Sequence, residues 1–335
     1  MLLITLYYIT KTNLRFFVTK SVLLFILQFL FSYTMETKDG IYQLLSPTEL
    51  AQLDNLALGS RFAAEGTLSG AHRSPQKGFS VEFADHKSYT RGDDLKHLDW
   101  KAFGRNERLY IRQYEEETSL RLSLFIDASN SMNYAGADIT KYQFACKCAA
   151  ALAYIIIKKQ DNAGLALFSD HVLSYLPPRG GPEHLRVLCN TLANTKPHGI
   201  ADYSSLIHQL TEKSRKRGLV ILFSDCFTSP DLLRSNLAHF RRKRHDVILY
   251  HVMDPNELYF PFRDVCAFQD LESNQKILTS AKEIKTAYLK NINRFLEQIK
   301  ALCSENDVEY ILASTDQEII PLILRHLHQR NHATK

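Results

Sequence analysis

From residue 120 onward the chain alternates between short, almost wholly apolar runs and longer segments whose apolar residues recur at helical spacing. Leu120-Arg-Leu-Ser-Leu-Phe-Ile126 reads as a strand, ended by the turn-forming Asp-Ala-Ser-Asn-Ser. An apolar helix over about 140–159 follows, then Ala163-Gly-Leu-Ala-Leu-Phe168 as the next strand, with His171 to Leu176 pairing back on it as a short antiparallel hairpin. Helices near 182–194 and 203–216 lead to Gly218-Leu-Val-Ile-Leu-Phe223, a run apolar enough to be covered on both faces. Helix 230–243, strand 246–252, helix 280–304, strand 308–313 and helix 316–328 continue the series. Strands alternating with helices of this length predict an α/β fold with a doubly wound, mostly parallel sheet.

Upstream the texture differs. Residues 46–58 predict a short helix with a legible start: Ser46 as cap, Pro47 at the first helical position, and Glu49 three residues on to complete a capping box. Residues 59–117 carry glycines at 59, 66, 70, 78, 92 and 104, and short runs such as Phe79-Ser-Val-Glu-Phe83, so loops and short strands are expected. The chain therefore divides into an apolar extension (1–34), a helix plus a small β-rich region (35–117) and an α/β body (118–330).

The extension is apolar and aromatic, and its longest uncharged run, Ser21 to Thr34, is short of the ~20 residues that span a bilayer as a helix. No small-x-small cleavage site follows it. From Met35 the chain continues Met-Glu-Thr-Lys-Asp-Gly, an ordinary polar N-terminus. The favoured expectation is that Met35 is the true start; a weak anchor through residues 16–34 and a cleaved signal are the alternatives. With Met35 as the start the protein is expected in the cytoplasm, and with the anchor it is membrane-attached.

The formal charge of +5 shrinks once the extension is set aside. Lys11, Arg15 and Lys20 lie there with no acid, leaving 5 − 3 = +2 for the remainder. That balance gives no push toward nucleic acid. The basic runs Lys213-Ser-Arg-Lys-Arg217 and Arg241-Arg-Lys-Arg-His245 fall at helix C-termini, where cations complement the helix dipole. Six cysteines, at 146, 148, 189, 226, 266 and 303, form no C-x-x-C pair; Cys146 and Cys148 point about 200° apart on a helix and cannot share a metal. Reduced, buried thiols are expected. No glycine-rich phosphate loop follows a strand, which counts against a nucleotide-driven enzyme.

In a doubly wound sheet, ligands collect at the carboxyl ends of the strands. Two strand ends there are acidic, Phe125-Ile-Asp127 and Phe223-Ser-Asp225. The first continues as Asp127-x-Ser129-x-Ser131, a spacing that lets alternate side chains converge as the chain curls out of the strand. One carboxylate with two hydroxyls suits a hard cation, Mg²⁺ or Mn²⁺, with Asp225 joining directly or through water. The same residues also fit a plain helix cap and a polar turn.

Asp-x-Ser-x-Ser after the first strand, with Asp225 after a later one, resembles the metal-ion-dependent adhesion site of von Willebrand factor A-type domains. That family leaves one coordination position open for a partner's carboxylate and adds a Thr ligand from a Gly-x-Thr-Asp stretch. Here the stretch is Gly199-Ile-Ala201-Asp202, so the Thr oxygen is missing unless Ser204 or Ser205 replaces it. Upstream, His72-Arg-Ser-Pro-Gln-Lys-Gly-Phe-Ser-Val-Glu-Phe83, Tyr89-Thr-Arg-Gly-Asp-Asp-Leu-Lys-His-Leu-Asp-Trp100, Arg108-Leu-Tyr-Ile-Arg112 and Tyr114-Glu-Glu-Glu-Thr118 closely resemble the bacterial domain-of-unknown-function-58 (DUF58) family. The resemblance covers about residues 43–330 and implies an A-type domain preceded by a small β-rich region. It also implies a partner, since such proteins are often encoded beside MoxR-type AAA+ ATPases. Arg91, Asp93, Asp94, Asp99, Arg105 and Arg112 lie close enough together to form bidentate Arg–carboxylate pairs, with Trp100 packed among them. Arg91-Gly-Asp93 reads as a chance integrin-like tripeptide.

The expectation is a non-enzymatic, protein-binding adaptor with a divalent-cation site at Asp127, Ser129, Ser131 and Asp225, working with a MoxR-type ATPase in the assembly or maturation of other proteins. One alternative is a metal-dependent phosphatase with Asp127 as nucleophile. It is weakened because Ser129 stands where a haloacid-dehalogenase-type site would place its second Asp. The other is a metal-free structural scaffold.

Overall fold

The computed structural model describes residues 40–59, 82–90, 98–106, 108–115, 120–136, 138–200, 217–271 and 275–325, together with positions 209 and 212. The apolar extension, most of the expected helix 203–216, and Ala201, Asp202, Ser204 and Ser205 lie outside them, as do Arg91, Asp93, Asp94 and the Arg112 side chain.

Two short helices open the described chain, α1 (Gly40–Leu44) and α2 (Pro47–Gly59). The α2 start is the expected capping box: the Ser46 amide donates to Glu49 Oε2 at 2.7 Å and the Glu49 amide donates to Ser46 Oγ at 3.2 Å. Strands β1 (Glu82–Ser88) and β2 (Tyr110–Glu115) pair antiparallel as a separate two-stranded sheet, with helix α3 (Trp100–Asn106) between them in sequence. Asp99 caps α3 by accepting from the amides of Lys101 and Ala102 at 2.9 and 3.1 Å. That corrects the expectation for Trp100. Turning Asp99 inward as the cap places Trp100 on the outer side of the first turn, where it is 67% exposed and meets Phe103 edge-on.

The body is one six-stranded sheet in the order β10-β7-β6-β3-β4-β5. Its strands are β3 (Arg121–Asp127), β4 (Asn162–Phe168), β5 (Val172–Arg179), β6 (Leu219–Ser224), β7 (Asp246–Met253) and β10 (Val308–Ser314). All neighbours are parallel except the outer pair β4–β5. Side chains alternate between faces along every inner strand, as the two-residue period of a strand requires. Leu122, Leu124 and Ile126 of β3 join Ile221, Phe223 and Tyr250 on one face. Phe125, Val220, Leu222 and Leu249 point to the other.

The first face is covered by α4 (Lys141–Lys158) and α5 (Pro182–Asn194), with α1, α2 and the turn between them adding Leu44, Leu53 and Leu45. The second is covered by α6 (Pro230–Arg242), through Leu233, Leu237 and Phe240, and by α8 (Ala281–Glu305), through Ile299 and Leu302. Helix α4 is apolar all round and buried almost throughout. Its start is a second capping box, between Thr140 and Gln143. Among the described residues no helix is long and apolar enough to cross a membrane. The remaining elements, α7 (Pro255–Tyr259) and the hairpin β8 (Val265–Gln269) with β9 (Lys276–Ser280), were not expected from the sequence.

The chain leaves β3 through α4 to β4 on one side, then returns to β6 on the other side of β3. The winding direction therefore reverses between β3 and β6, and a crevice opens at their carboxyl ends. The basic run at the end of α6 is engaged within the molecule: Arg241 pairs with Asp307 at 2.7 Å and Lys243 with Glu212 at 2.7 Å.

At the β4–β5 edge the ladder shifts register between Ala163 and Leu165, and the β5 backbone crowds Gly164. A Cβ at Gly164 would lie 2.7 Å from the Pro178 nitrogen and 2.8 Å from the Leu176 carbonyl oxygen, both backbone atoms that cannot turn aside. Gly164→Ala is expected to lower the unfolding free energy by about 1–3 kcal/mol, the usual cost of overpacking, measured by urea denaturation.

Candidate functional site

Asp127 is the last residue of β3 and is fully buried. Its two oxygens are aimed by separate donors: the Ser129 amide donates to Oδ1 at 2.9 Å, and the Ser224 hydroxyl donates to Oδ2 at 3.0 Å. The second bond crosses the switch point from β6, so the crevice is closed at its base by a carboxylate–hydroxyl contact. Ser224 in turn accepts from the Cys226 amide at 2.8 Å, which turns the chain sharply out of β6.

Beyond Asp127 the backbone is tied down on both sides. Ala128 donates to Phe168 and accepts from His198, and the Asn130 amide donates to the Gly199 carbonyl at 3.0 Å. A 3-10 turn, Asn130–Asn133, anchored by buried Met132, completes the curl. It brings the Ser129 and Ser131 hydroxyls 3.0 Å apart. The structure thus brings Asp127, Ser129 and Ser131 together on one short loop, as their spacing predicts.

Asp225 stands one residue past β6 and is almost wholly buried. Its Oδ2 accepts from the ammonium of Lys141 at 2.8 Å, and its Oδ1 from the Phe227 amide at 3.3 Å. Lys141, the first residue of α4, is itself fully buried and donates equally to Glu257 Oε1 at 2.8 Å. Burial works against the Lys141 charge, but Asp225 and Glu257 more than offset it and hold its pKa above the ordinary lysine value. For Glu257, burial raises the carboxyl more than Lys141 lowers it. Helix α7 presents Glu257 through a capping box with Asp254, whose carboxylate also takes the Gly136 amide at 2.8 Å. A third strand end, that of β7, is therefore acidic too. Its Asp254 serves the loops around the site.

His251, fully buried on β7, fixes the backbone of Asp225. Its Nε2 is 2.9 Å from the Asp225 carbonyl oxygen and its Nδ1 is 2.9 Å from the Tyr310 hydroxyl. A carbonyl only accepts, so Nε2 carries the proton and Nδ1 accepts from Tyr310. Burial, the largest influence, pulls the His251 pKa down to about 4.

Sequence reasoning found the acid–hydroxyl triad and Asp225 but missed Lys141, Ser224, Glu257 and His251. Two signals were present. A lysine opens an otherwise apolar helix directly after the Asp127 loop, and Asp254-Pro-Asn-Glu257 carries a capping pattern.

Residues 85–295 match the family described as protein of unknown function DUF58. The chain belongs to that family, and its fold is an α/β one built on a mostly parallel six-stranded sheet. An uncharacterized protein of Mycobacterium tuberculosis is 26% identical over 230 residues, spanning 68% of this chain and 72% of its own length, and one of Mycobacterium bovis matches to the same extent. Among solved structures, an aerotolerance-related membrane protein from Bacteroides fragilis is 13% identical, covering 64% of this chain and 99% of its own, with a TM-score of 0.43. The conserved hypothetical protein BatB from Bacteroides thetaiotaomicron is 14% identical, with 64% and 98% covered and a TM-score of 0.43. The SpRpn10 VWA domain is 13% identical, with 62% and 95% covered and a TM-score of 0.37.

Two outcomes follow from the buried charges. Lys141→Met strips the cation from two buried carboxylates and is expected to cost about 3–5 kcal/mol of unfolding free energy, read by chemical denaturation at neutral pH. The His251 pKa is depressed in the folded state, so the unfolded chain takes its proton first as pH falls. The contribution of His251 to stability is complete above the ordinary value near 6.5 and is lost as pH drops toward about 4. The wild type is expected to lose on the order of 3 kcal/mol more than His251→Gln over that interval; parallel pH–stability curves for the two proteins would refute the assignment.

Proposed function

We propose that this protein is a non-enzymatic, protein-binding adaptor whose Asp127–Ser129–Ser131 loop takes a Mg²⁺ or Mn²⁺ ion, with Asp225 behind it. The observation that carries the reading is the 3.0 Å separation of the Ser129 and Ser131 hydroxyls beside a buried carboxylate already oriented by two donors. Adjacent ligands of an octahedral Mg²⁺ at ~2.0–2.1 Å stand about 2.9 Å apart. The residues present therefore fit a hard cation. The cation would act as an electrostatic anchor for an acidic group of a partner protein.

The rim supports a docking role. Phe227, two residues beyond Asp225, and Ile200, next to Gly199, are 46% and 58% exposed. Exposed aromatic and apolar side chains beside the site offer surface that a docked partner would bury. The partner we assign is a MoxR-type AAA+ ATPase, on the strength of the family resemblance, and the compartment is the cytoplasm.

A second reading, the metal-free scaffold, is favoured by one observation. Lys141 already supplies Asp225 with a cation from within the chain.

Calorimetry with Mg²⁺ and Mn²⁺ separates the two. Binding heat is expected in the wild type and not in Asp127→Ala, and identical absent heats in both would leave the scaffold reading standing. Affinity capture of the ATPase is expected to fall at least tenfold with EDTA or Asp127→Ala; capture indifferent to both would also favour the scaffold. Neither EDTA nor Asp127→Ala is expected to alter turnover of phosphate esters, because none is expected in the wild type; Asp127-dependent turnover would overturn the adaptor reading.

A further inference from the structure

A second group of ligand-type side chains lies on the same edge of the sheet and is built from other atoms. Asp170 and His171 form the tight turn between β4 and β5, and His198 sits in the loop after α5. One carboxylate oxygen and one nitrogen from each ring all fall within 4.8 Å of one another, with all three side chains exposed.

Asp170 and His198 are each held in place from outside the cluster. Ser169, fully buried, donates its hydroxyl to Asp170 Oδ1 at 2.8 Å. His171 Nδ1 lies 2.7 Å from the same oxygen. The His198 amide donates to the Ala128 carbonyl at 2.8 Å, which fixes this loop to the residue following Asp127. The His198 Nδ1 stands 3.0 Å from the Lys196 carbonyl oxygen. Since that oxygen only accepts, Nδ1 carries the proton and Nε2 keeps its lone pair available. The ring centroids of His171 and His198 are 6.0 Å apart. Gly199 has φ +76°, and a Cβ there would stand 3.1 Å from Asp170 Oδ1. The glycine permits both the left-handed turn and the close approach of the carboxylate.

We propose that Asp170, His171 and His198 form a binding site for a zinc-class divalent cation, separate from the Asp127 loop. Two imidazoles with one carboxylate suit a borderline metal and not Mg²⁺, which prefers an all-oxygen shell. Ligands of a tetrahedral Zn²⁺ at ~2.0–2.1 Å stand roughly 3.3 Å apart. The cluster brackets that spacing, and exposed side chains reach it by small rotations. The His171–Asp170 hydrogen bond gives way to two metal–ligand bonds. Three protein ligands leave the fourth position open for water or for a donor from a docked protein. The proposal takes no ligand from the Asp127 loop, so it stands or falls independently of the adaptor reading.

The test is calorimetry of the full chain with Zn²⁺, in a Cys266→Ser background because Cys266 is the one thiol that is not fully buried. Co²⁺ is the spectroscopic probe. One equivalent of Zn²⁺ is expected to bind, with excess Mg²⁺ failing to displace it and Co²⁺ giving the visible bands of a low-coordinate nitrogen–oxygen site. The affinity is expected to fall at least ~10-fold in His171→Ala and in His198→Ala and to be unchanged in Asp127→Ala. Absent Zn²⁺ binding, unchanged binding in the His171→Ala/His198→Ala double variant, or loss in Asp127→Ala would each overturn the proposal.

Discussion

Removing the Lys141 ammonium from water would be prohibitive in isolation, because an uncompensated charge in a protein interior costs several kcal/mol even after relaxation. Two carboxylates at 2.8 Å, one from the end of β6 and one from α7, make it tolerable. The requirement runs both ways, since Asp225 is as deeply buried as the lysine. The start of α4, the exit of β6 and the short helix after β7 must therefore arrive at one point together. Charge neutralisation, and not hydrophobic packing alone, sets where the carboxyl edge of the sheet is assembled.

That arrangement shapes the chemistry available at the switch point. With Asp225 already facing an internal cation, the attraction that the proposed ion would feel beside Ser129 and Ser131 would come chiefly from Asp127. Asp127 is in turn held by Ser129, two residues past β3, and by Ser224, the last residue of β6. The crevice is thus preorganised by neutral donors on one side and by an ion pair on the other. The aromatic ring of Phe227 lies 5.0 Å from the Lys141 ammonium, so a cation–π contact closes the cluster toward its exposed rim.

Much of the fold was legible in the sequence because the inner strands are apolar on both faces and alternate with helices, the pattern a covered parallel sheet produces. The expected strands 120–126, 163–168 and 246–252 match β3, β4 and β7 to within a residue or two at each end. The β8–β9 hairpin escaped notice for the opposite reason. Val265, Ile277 and Leu278 are exposed, and no residue of either strand is fully buried, so no apolar face marks the hairpin as part of a core. At the site, the Asp127 triad was legible because its members are close in sequence. Lys141 and Glu257 are 116 residues apart, and nothing local marks their meeting. Trp100 was misjudged because a tryptophan among charged residues suggests packing, whereas the Asp99 cap decides which way that turn faces.

The outer strand β5 ends with Pro177 and Pro178 before Arg179. Proline has no amide hydrogen to offer an incoming strand. This border of the sheet thus resists lateral extension by another copy of the chain, a safeguard natural β-sheets use against edge-to-edge aggregation. The opposite border, β10, carries no proline and exposes Leu312. The molecule is consequently asymmetric in its capacity for self-association, blunted beside the β4–β5 turn and more permissive along its far side.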